Sequence, residues 1–397
     1  MRSAVLLPGA VLFLAACGSA TGTGTPTAAN AAKSATPTAA QASPTLAPIP
    51  NPLLVFAKAG ALSLVWPDGT VAHEVQTAYT TLGAGSNQFD GSGAVLISRD
   101  YAVQAVLTRD GATASLAPAA AALLDTNSVE SDLATMRPIL IDDHMLLGVE
   151  VSGPMWNYIE LDLTSGKVTT LLSVKEGPSQ GFPQVANMLA LGTTLDRSVA
   201  HVFVNDVIVN GETLTGGAYF DIDLSTGATT GPRALPAADD PSSIAISADG
   251  RYAAWLASGT GLNGAATWDL HILDLTTGSN TTLRDAPYVN AEGSVVLRFS
   301  PDDRYVSLEG FAGPAVPSSY GYMGIAIVEV DTARIVRFVD VTHVSVDGIS
   351  TVGWTGPDTL VYTTTVSAST VGHSLDVQSG SDQEYPVALG APVLMLR

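Results

Sequence analysis

The chain has 397 residues, a formal net charge of −20 and 46% hydrophobic residues. The apolar content is ample for a folded core, which excludes a chain that is disordered throughout. Only 17 residues are Lys or Arg, and they form no basic run that could follow a phosphate backbone, which argues against nucleic acid as a partner. The single cysteine excludes an intrachain disulfide.

Residues 1–17 have the pattern of an export signal. Arg2 supplies a positive charge, and the apolar run over 4–14 is too short to be a stable bilayer-spanning anchor. The run ends in Leu14-Ala15-Ala16-Cys17, which resembles the lipobox of bacterial lipoproteins. The resemblance implies diacylglyceryl transfer to Cys17, cleavage before it and acylation of the new N-terminus, so the membrane becomes a partner through this lipid anchor. The alternative is an ordinary secretory signal with a chance cysteine.

Residues 18–52 are rich in Ala, Thr, Pro, Ser and Gly and show no hydrophobic period. Such a stretch cannot bury enough apolar surface to offset the entropy of ordering it. We predict a disordered tether with an r.m.s. reach of roughly 30 Å. The folded domain is predicted to occupy 53–397.

The folded domain opens with three predicted strands, Leu53–Ala59, Ala61–Trp66 and Thr70–Thr77. The last two are joined by Pro67-Asp68-Gly69. Asp-Gly between apolar runs is a strong hairpin signal. The chain therefore enters an antiparallel sheet directly after the tether.

A short aspartate turn then recurs along the chain. Its clearest copies are Ser247-Ala248-Asp249-Gly250-Arg251-Tyr252 and Ser300-Pro301-Asp302-Asp303-Arg304-Tyr305. Weaker copies bring the aspartates to positions 100, 143, 196, 249, 302 and 358, and the gaps from 143 to 196, 196 to 249 and 249 to 302 are each 53 residues. A fixed period of this size between short apolar runs predicts the blades of a β-propeller.

A second turn marks the later part of each repeat. Its copies are Thr164-Ser165-Gly166, Ser225-Thr226-Gly227, Thr276-Thr277-Gly278, Asp331-Thr332-Ala333 and Gln378-Ser379-Gly380. We predict that the aspartate turn joins strands A and B of a blade and that the second turn joins strands C and D. In the repeat over 242–284 the four predicted strands are Ser243–Ile246, Tyr252–Ala257, Leu270–Leu275 and Thr281–Leu283.

These repeats resemble the PD40 type of TolB-like propellers, which is named for its Ser-Pro-Asp-Gly turn. The resemblance is specific at 247–252 and 300–305. It implies a scaffold for partner binding or a propeller beside a peptidase domain, and no stretch of this chain fits a peptidase domain. TolB itself has an additional small N-terminal domain, whereas this chain has a tether there, so a role in the Tol system does not follow.

The first blade lacks an aspartate turn and begins at Leu53 with what matches a B strand. An apolar segment, Pro392 to Leu396, remains after the last blade. Because an open edge is an aggregation hazard, we predict that this segment closes the ring as strand A of the first blade. Seven four-stranded antiparallel blades result. Six blades is the alternative, because the repeat over 92–136 has a poor C–D hairpin and an Ala-rich stretch at 117–124.

Motifs for chemistry are not found. The six histidines show no His-Glu-x-x-His spacing, and neither a nucleophile elbow, a Walker loop nor a dinucleotide fingerprint is present. Asp142 and Asp143 form a carboxylate pair, but they lie in a predicted A–B turn, where aspartate usually accepts backbone amides. We therefore predict no catalytic, cofactor-binding or metal-binding residues.

One group of residues is a candidate binding site. The longest predicted B–C loops, Gly153–Trp156, Asn210–Gly217, Ser258–Trp268 and Ala312–Tyr322, share one face of the ring. They bring Trp156, Trp268, Tyr320 and Tyr322 to a common rim, and aromatic side chains suit contact with a protein or a sugar. The alternative is that these aromatics merely cover the ends of the blades.

The sequence thus predicts an exported, lipid-anchored cell-envelope protein that binds a protein or glycan without catalysis. An envelope enzyme, a glycan hydrolase or lyase with carboxylates lining the channel, is the alternative. Clustered carboxylates and histidines with perturbed pKa values would favour the enzyme. An apolar or aromatic patch on one face would favour the binding module.

Overall fold

The computed structural model describes most of residues 52–396, which belong to one compact unit, Leu46–Arg397. The export signal and nearly all of the tether lie outside the described residues, so their boundaries stay predictions. Longer stretches that also lie outside them are 77–93, 125–138, 177–187, 236–241, 287–295, 312–322 and 341–347. The described residues are almost entirely β-strands.

The strands are short and follow one another in antiparallel hairpins. Those of the first half are β1 (Leu53–Lys58), β2 (Ala61–Val65), β3 (Val71–Gln76), β4 (Ala94–Arg99), β5 (Ala102–Thr108), β6 (Thr113–Ser115), β7 (Ile139–Leu140), β8 (Met145–Ser152), β9 (Met155–Asp162), β10 (Val168–Glu176), β11 (Met188–Thr193), β12 (Val199–Val209), β13 (Glu212–Asp223) and β14 (Thr229–Ala234). A short helix, α1 (Pro118–Leu124), lies between β6 and β7.

The second half is more regular. Its strands are β15 (Ser242–Ile246), β16 (Tyr252–Thr260), β17 (Ala266–Asp274), β18 (Asn280–Leu283), β19 (Val296–Phe299), β20 (Tyr305–Phe311), β21 (Met323–Glu329), β22 (Arg334–Asp340), β23 (Gly348–Gly356), β24 (Thr359–Val366), β25 (Ser369–Asp376), β26 (Asp382–Glu384) and β27 (Pro392–Leu396). They form three four-stranded sheets in chain order, β15 to β18, β19 to β22 and β23 to β26. The strands predicted for 242–284 are confirmed to within a few residues.

The sheets stand around a common axis as the blades of a β-propeller, which confirms the predicted fold class. The first strands of successive sheets contact one another in the series β11, β15, β19, β23 and β27, as the inner strands of such a ring must. The outer strands β14 and β26 are exposed along their length, whereas β2 is buried on both faces. The core therefore lies between neighbouring sheets.

The predicted ring closure is confirmed. Strand β27 pairs with β1, which gives the first sheet the order β27, β1, β2, β3. Strand β27 also packs closely against the last sheet. A Cβ atom on Gly353 would lie 2.9 Å from Met395 Cε, and one on Gly372 would lie 2.5 Å from Pro392 Cδ. The Tyr385 hydroxyl also donates to Pro67 O at 3.2 Å, across the same junction.

The strands fall into seven consecutive groups, and three of them depart from the predicted plan of separate four-stranded blades. The second group has only β4, β5 and β6 paired among the described residues, and the Ala-rich stretch is the helix α1 and not a strand. Ala120 and Leu124 of this helix are buried against the third group. The third and fourth groups share one sheet because β10 pairs with β12. The number of blades therefore stays a prediction.

Candidate functional site

Each sheet has two ends, and we name them by their connections. The turn end carries the A–B and C–D turns, and the rim carries the B–C and D–A connections. Antiparallel pairing puts both turns of a sheet at the same end. Contacts from one A–B turn to the next bring the turn ends of neighbouring sheets together, since the amide of Asp249 donates to Asp303 Oδ2 at 3.2 Å and Arg304 pairs with Asp358.

Two aspartates of the A–B turns, Asp249 and Asp302, accept hydrogen bonds within their own turns, whereas Asp100 and Asp196 lie outside the described residues. Asp249 Oδ1 accepts from the Ser247 hydroxyl at 2.8 Å and from the Arg251 amide at 2.7 Å. The Ser247 hydroxyl in turn accepts from the Tyr252 amide at 2.8 Å. Asp302 makes the same contacts with Ser300, which confirms these aspartates as turn residues.

The C–D turns repeat a second arrangement. Asp162 Oδ1 accepts from the amides of Thr164 and Ser165 at 2.8 and 3.0 Å and from the Thr164 hydroxyl at 2.7 Å. These contacts, led by the hydroxyl, lower the pKa of Asp162 to about 2. Asp223 and Asp376 are held in the same way. An aspartate that accepts two amides of its own turn stays ionised because the charged form is the better acceptor.

One exposed cluster at the turn end has ligand atoms close enough for a metal ion. Among the described residues, Asp142, Asp143 and His144 form a group whose ligand atoms lie within 4.8 Å of one another. Asp142 Oδ1 already accepts the amides of His144 and Met145 at 2.9 and 2.7 Å. The hydrogen bond to Asp143 raises the pKa of His144, against the effect of burial. The cluster fits an A–B turn, as predicted.

Three histidines are built into the sheets. His201 is buried, and its Nδ1 lies 2.8 Å from Asp221 Oδ1. The rings of His271 and His373 stack on Trp255 and Tyr362 of the neighbouring strand, at 5.3 and 4.7 Å between centroids. Burial lowers the pKa of His271. Directly opposed residues on paired strands stabilise a sheet, which explains both stacked pairs.

Glu309 is a partly buried carboxyl close to an inner strand. It lies on β20, and its Oε2 accepts the backbone amide of Thr351 on β23 of the next sheet. Burial raises its pKa, although the Thr351 contact and the charge of Arg298 oppose the rise. A carboxyl whose pKa is raised by packing against the next sheet is the kind of group that sequence patterns do not reveal.

The two tryptophans of the predicted site lie in strands and not in loops. Trp156 is the second residue of β9, and Trp268 is the third residue of β17. Within the predicted loops Gly153–Trp156, Asn210–Gly217 and Ser258–Trp268, residues 155–156, 212–217, 258–260 and 266–268 are strand, because the hairpins there are longer than expected. Residues 153, 210 and 261–265 lie outside the described residues. Tyr320 and Tyr322 lie outside the described residues.

Both tryptophans pack over the cores between sheets while keeping part of their surface exposed. Trp156 lies against the cluster that includes Tyr158, Val174 and Val207. Trp268 lies against a different cluster, which includes Leu270. They do not form one contiguous patch of core residues, since each belongs to its own cluster.

The two tryptophans nevertheless occupy equivalent positions. Each precedes the aspartate of its C–D turn by six residues, Trp156 before Asp162 and Trp268 before Asp274. Both therefore lie at the rim end of a C strand. Sequence reasoning missed this equivalence, although the spacing from the C–D aspartate was available to show it.

Among the described residues no helix is long and apolar enough to cross a membrane. No protein-family profile and no curated protein sequence matches the chain. Solved structures similar to it include TolB from Acinetobacter baumannii, with 13% identity, 86% of this chain and 64% of that chain covered, and a TM-score of 0.40. An oligogalacturonate lyase in complex with manganese has 18% identity, covers 60% of this chain and 61% of its own, and scores 0.38.

The tricorn protease is a further similar structure, with 11% identity, 83% of this chain and 34% of that chain covered, and a TM-score of 0.40. The matched part spans less than two thirds of each of these three proteins. Likeness at this level carries no argument about activity or partner. The function must be argued from the residues of this chain.

Proposed function

We propose that this protein is an exported, lipid-anchored propeller of the bacterial cell envelope, with seven blades, that binds a protein or glycan partner without catalysing a reaction. The observation that carries the proposal is the pair Trp156 and Trp268, which stand at one repeat position on the rim with part of each side chain exposed. Large amphipathic aromatic side chains are the commonest anchors of binding surfaces.

The hydrogen bonds of the aspartates at the turn end support a structural role for that end of the propeller. Aspartates there accept backbone amides within their own turns, or join one sheet to the next as Asp303 and Asp358 do. Groups that are committed to hold the backbone are poorly placed for proton transfer. The rim is the end where side chains are left for a partner.

The predicted tether joins the propeller at the turn end. Leu53 opens β1, a B strand, and B strands begin at the turn end. The attachment of the tether therefore leaves the rim connections free.

Membrane fractionation tests the anchor. We expect Cys17→Ser to leave the propeller folded and to release it from membranes, because the attachment is chemical and lies well before the first strand. Circular dichroism checks the fold. A variant that still sediments with membranes after a high-salt wash excludes lipidation at Cys17 as the means of attachment.

Capture from a cell-envelope extract tests the rim. The variant Trp156→Leu/Trp268→Leu keeps apolar volume beneath the rim but removes both indole rings. Tyr252→Leu, an aromatic change at the turn end, is the matched control. We expect the tryptophan variant alone to lose recovery of protein or glycan partners measured by mass spectrometry. Equal recovery by all three proteins contradicts the proposed binding face.

An envelope enzyme, a glycan hydrolase or lyase, is the second candidate, and the raised pKa of Glu309 is the observation that favours it. A carboxyl of this kind can act as a general acid. Turnover of envelope glycans that falls at least 100-fold in Glu309→Gln, with an unchanged melting temperature, would replace the binding proposal with this one.

A further inference from the structure

We propose that the paired end segments of the β12–β13 hairpin, Val207–Val209 and Glu212–Leu214, form a hinged flap that opens and closes over the apolar core between the third and fourth strand groups. We call these segments the flap. The inference concerns a motion of the rim and does not depend on what the rim binds. Three features of the structure support the proposal. They are a hinge in the β12–β13 ladder, a short pairing between β10 and β12 that we call the latch, and an apolar contact between the flap and the neighbouring strand group.

The hinge lies where β12 changes partners. Residues 200–204 of β12 pair with β11, whereas Val207 and Ile208 pair with β10 of the other group. The β12–β13 ladder shifts register between Asn205 and Val207 at the same place. A bulge of this kind bends a strand out of its own sheet. Asn205 pairs with Gly217 and Val207 with Leu214, so β13 has two residues, 215 and 216, where β12 has one, and Gly216 in this bulge has a φ of 78°.

Two glycines at the bulge, Gly216 within it and Gly217 beside it, give the backbone room to turn. Gly216 adopts a left-handed conformation that other residues rarely accept, and neither glycine has a side chain to pack against the bulge. Hinges are a few residues that absorb large changes in φ and ψ, often small ones. The flap itself is a regular hairpin, with Val207 opposite Leu214 and Val209 opposite Glu212, so it can move as a unit.

The latch is short. Only Lys175 opposite Ile208 and Glu176 opposite Val207 join β10 to β12. By contrast, β10 pairs with β9 over seven residues, and β12 pairs with β13 over ten. Local opening in proteins follows the least-paired boundaries, and this boundary is the least paired of those three. Opening here leaves both neighbouring hairpins intact.

The contact between the flap and the neighbouring strand group is apolar. Val207 and Val209 of the flap are buried in one cluster with Val174 of β10, and Trp156 of β9 and Leu214 of the flap pack against this cluster. Separation of β10 from β12 would uncover these side chains together. Because Trp156 belongs to the cluster, the flap controls how much of this tryptophan the rim presents.

Hydrogen–deuterium exchange of the full chain tests the proposal without an added ligand. Successive residues of a strand direct their amides to opposite sides, so one of Val207 and Ile208 donates across the latch to β10. We expect that amide to exchange at least tenfold faster than those of Val202 and Val204 in the other half of β12. The amide of Lys175 or Glu176 that donates across the same latch should exchange at the same rate, since one event frees both sides. A gradient of rates that decreases from the tip at Gly211 would mean fraying and would overturn the flap.

A crosslink tests the latch directly. In a Cys17→Ser background, Lys175→Cys/Ile208→Cys places two cysteines on opposed residues of β10 and β12. The control, Glu160→Cys/Thr169→Cys, bridges opposed residues of β9 and β10. We expect the first disulfide to slow flap exchange at least tenfold and to lower binding of the apolar dye ANS, and the control to do neither. Unchanged exchange of the flap amides in the disulfide-bonded protein contradicts the proposal. If the disulfide does not form, the exchange rates of the wild-type protein decide whether the flap opens.

Discussion

The turn end and the rim of this propeller are built on different principles. At the turn end, nearly the same polar contacts recur from sheet to sheet: an aspartate accepts two amides and a serine or threonine lies beside it. At the rim, hairpins differ in length, one strand leaves its sheet to pair with another, and aromatic residues cover the cores. A repeat that builds the fold is kept regular, and the end that is free to vary is the end available for a partner.

The largest difference should appear when the closure at β27 is removed. Deletion of 391–397 takes away the inner strand of the first sheet and exposes Leu54 and Phe56, which are fully buried. We expect a loss of about 5 kcal/mol or more, since each large apolar side chain that loses its packing costs roughly 2–5 kcal/mol. Denaturant unfolding measures it.

Deletion of 20–50 is the control for the closure, because it removes a comparable or larger length of chain from the predicted tether. We expect this deletion to leave the midpoint of unfolding unchanged. Equal midpoints of unfolding for the C-terminal deletion and the intact protein would show that β27 does not hold the ring closed. The comparison of turn end and rim, which assumes a closed ring, would then fail.

A second prediction concerns Asp274 at the turn end. Its Oδ1 accepts the amides of Thr276 and Thr277, and its Oδ2 accepts Arg251 Nε and Nη2 at 3.0 and 2.8 Å. Burial works against ionisation, but these contacts lower the pKa of the carboxyl. Asp274→Ala should cost about 2 kcal/mol, because it removes a buried carboxylate that accepts two turn amides and a charged donor.

Asp223→Ala is the matched control for Asp274, since Asp223 accepts the same turn amides but is exposed. We expect a smaller loss, and the difference between the two melting curves reports the contribution of Arg251 and of burial. If both variants lose the same stability, the turn amides alone account for the repeat, and the arginine of the Asp-Gly-Arg-Tyr turn has no structural part.

Sequence reasoning predicted the turn end better than the rim for a physical reason. The turns depend on local side-chain-to-backbone bonds, so their residues recur at fixed spacing and can be read from the chain. The closure by β27 was also predictable, because a B strand without an A strand requires a partner. Even the helix over 118–124 carries a local signal, a proline at its first position followed by alanines.

The rim could not be predicted in the same way because its strands depend on partners distant in sequence. Ser258, Gly259 and Thr260 have the composition of a loop, yet they pair with residues 266–268 as strand. The partner change of β12 depends on where the neighbouring group ends, which no local pattern encodes. Pairing across a sheet overrides the intrinsic preference of small polar residues.

A third prediction tests whether the rim tryptophans contribute to the stability of the folded protein. Trp268 packs against the core between two sheets, so Trp268→Leu should lower stability by about 1 kcal/mol, within the range for a change of shape at a packed site. Sequence alone predicted a loop residue with an effect under about 0.5 kcal/mol. Val366→Ala, at an exposed apolar position on the rim end of β24, is the control and should change the melting temperature very little.

The smallest effect should come from Glu309, which lies between the two ends. Burial raises its pKa in the folded protein above the ordinary value of 4.5, so folding favours the protonated carboxyl. The stability of the wild type should therefore fall, relative to Glu309→Gln, as the pH rises from below 4.5 through the raised pKa. Glutamine keeps an oxygen that can accept the Thr351 amide but carries no charge to desolvate.

Thermal melts of wild type and Glu309→Gln across this pH range measure the effect, with the exposed Glu212→Gln as the control. We expect the melting curves of the first pair to coincide at low pH and the glutamine variant to melt higher near neutrality. The control should show no such divergence. If Glu309→Gln instead melts lower at neutral pH, Arg298 and Thr351 stabilise the ionised carboxylate more than burial destabilises it. Glu309 would then join its own sheet to β23 of the next sheet through a charged hydrogen bond.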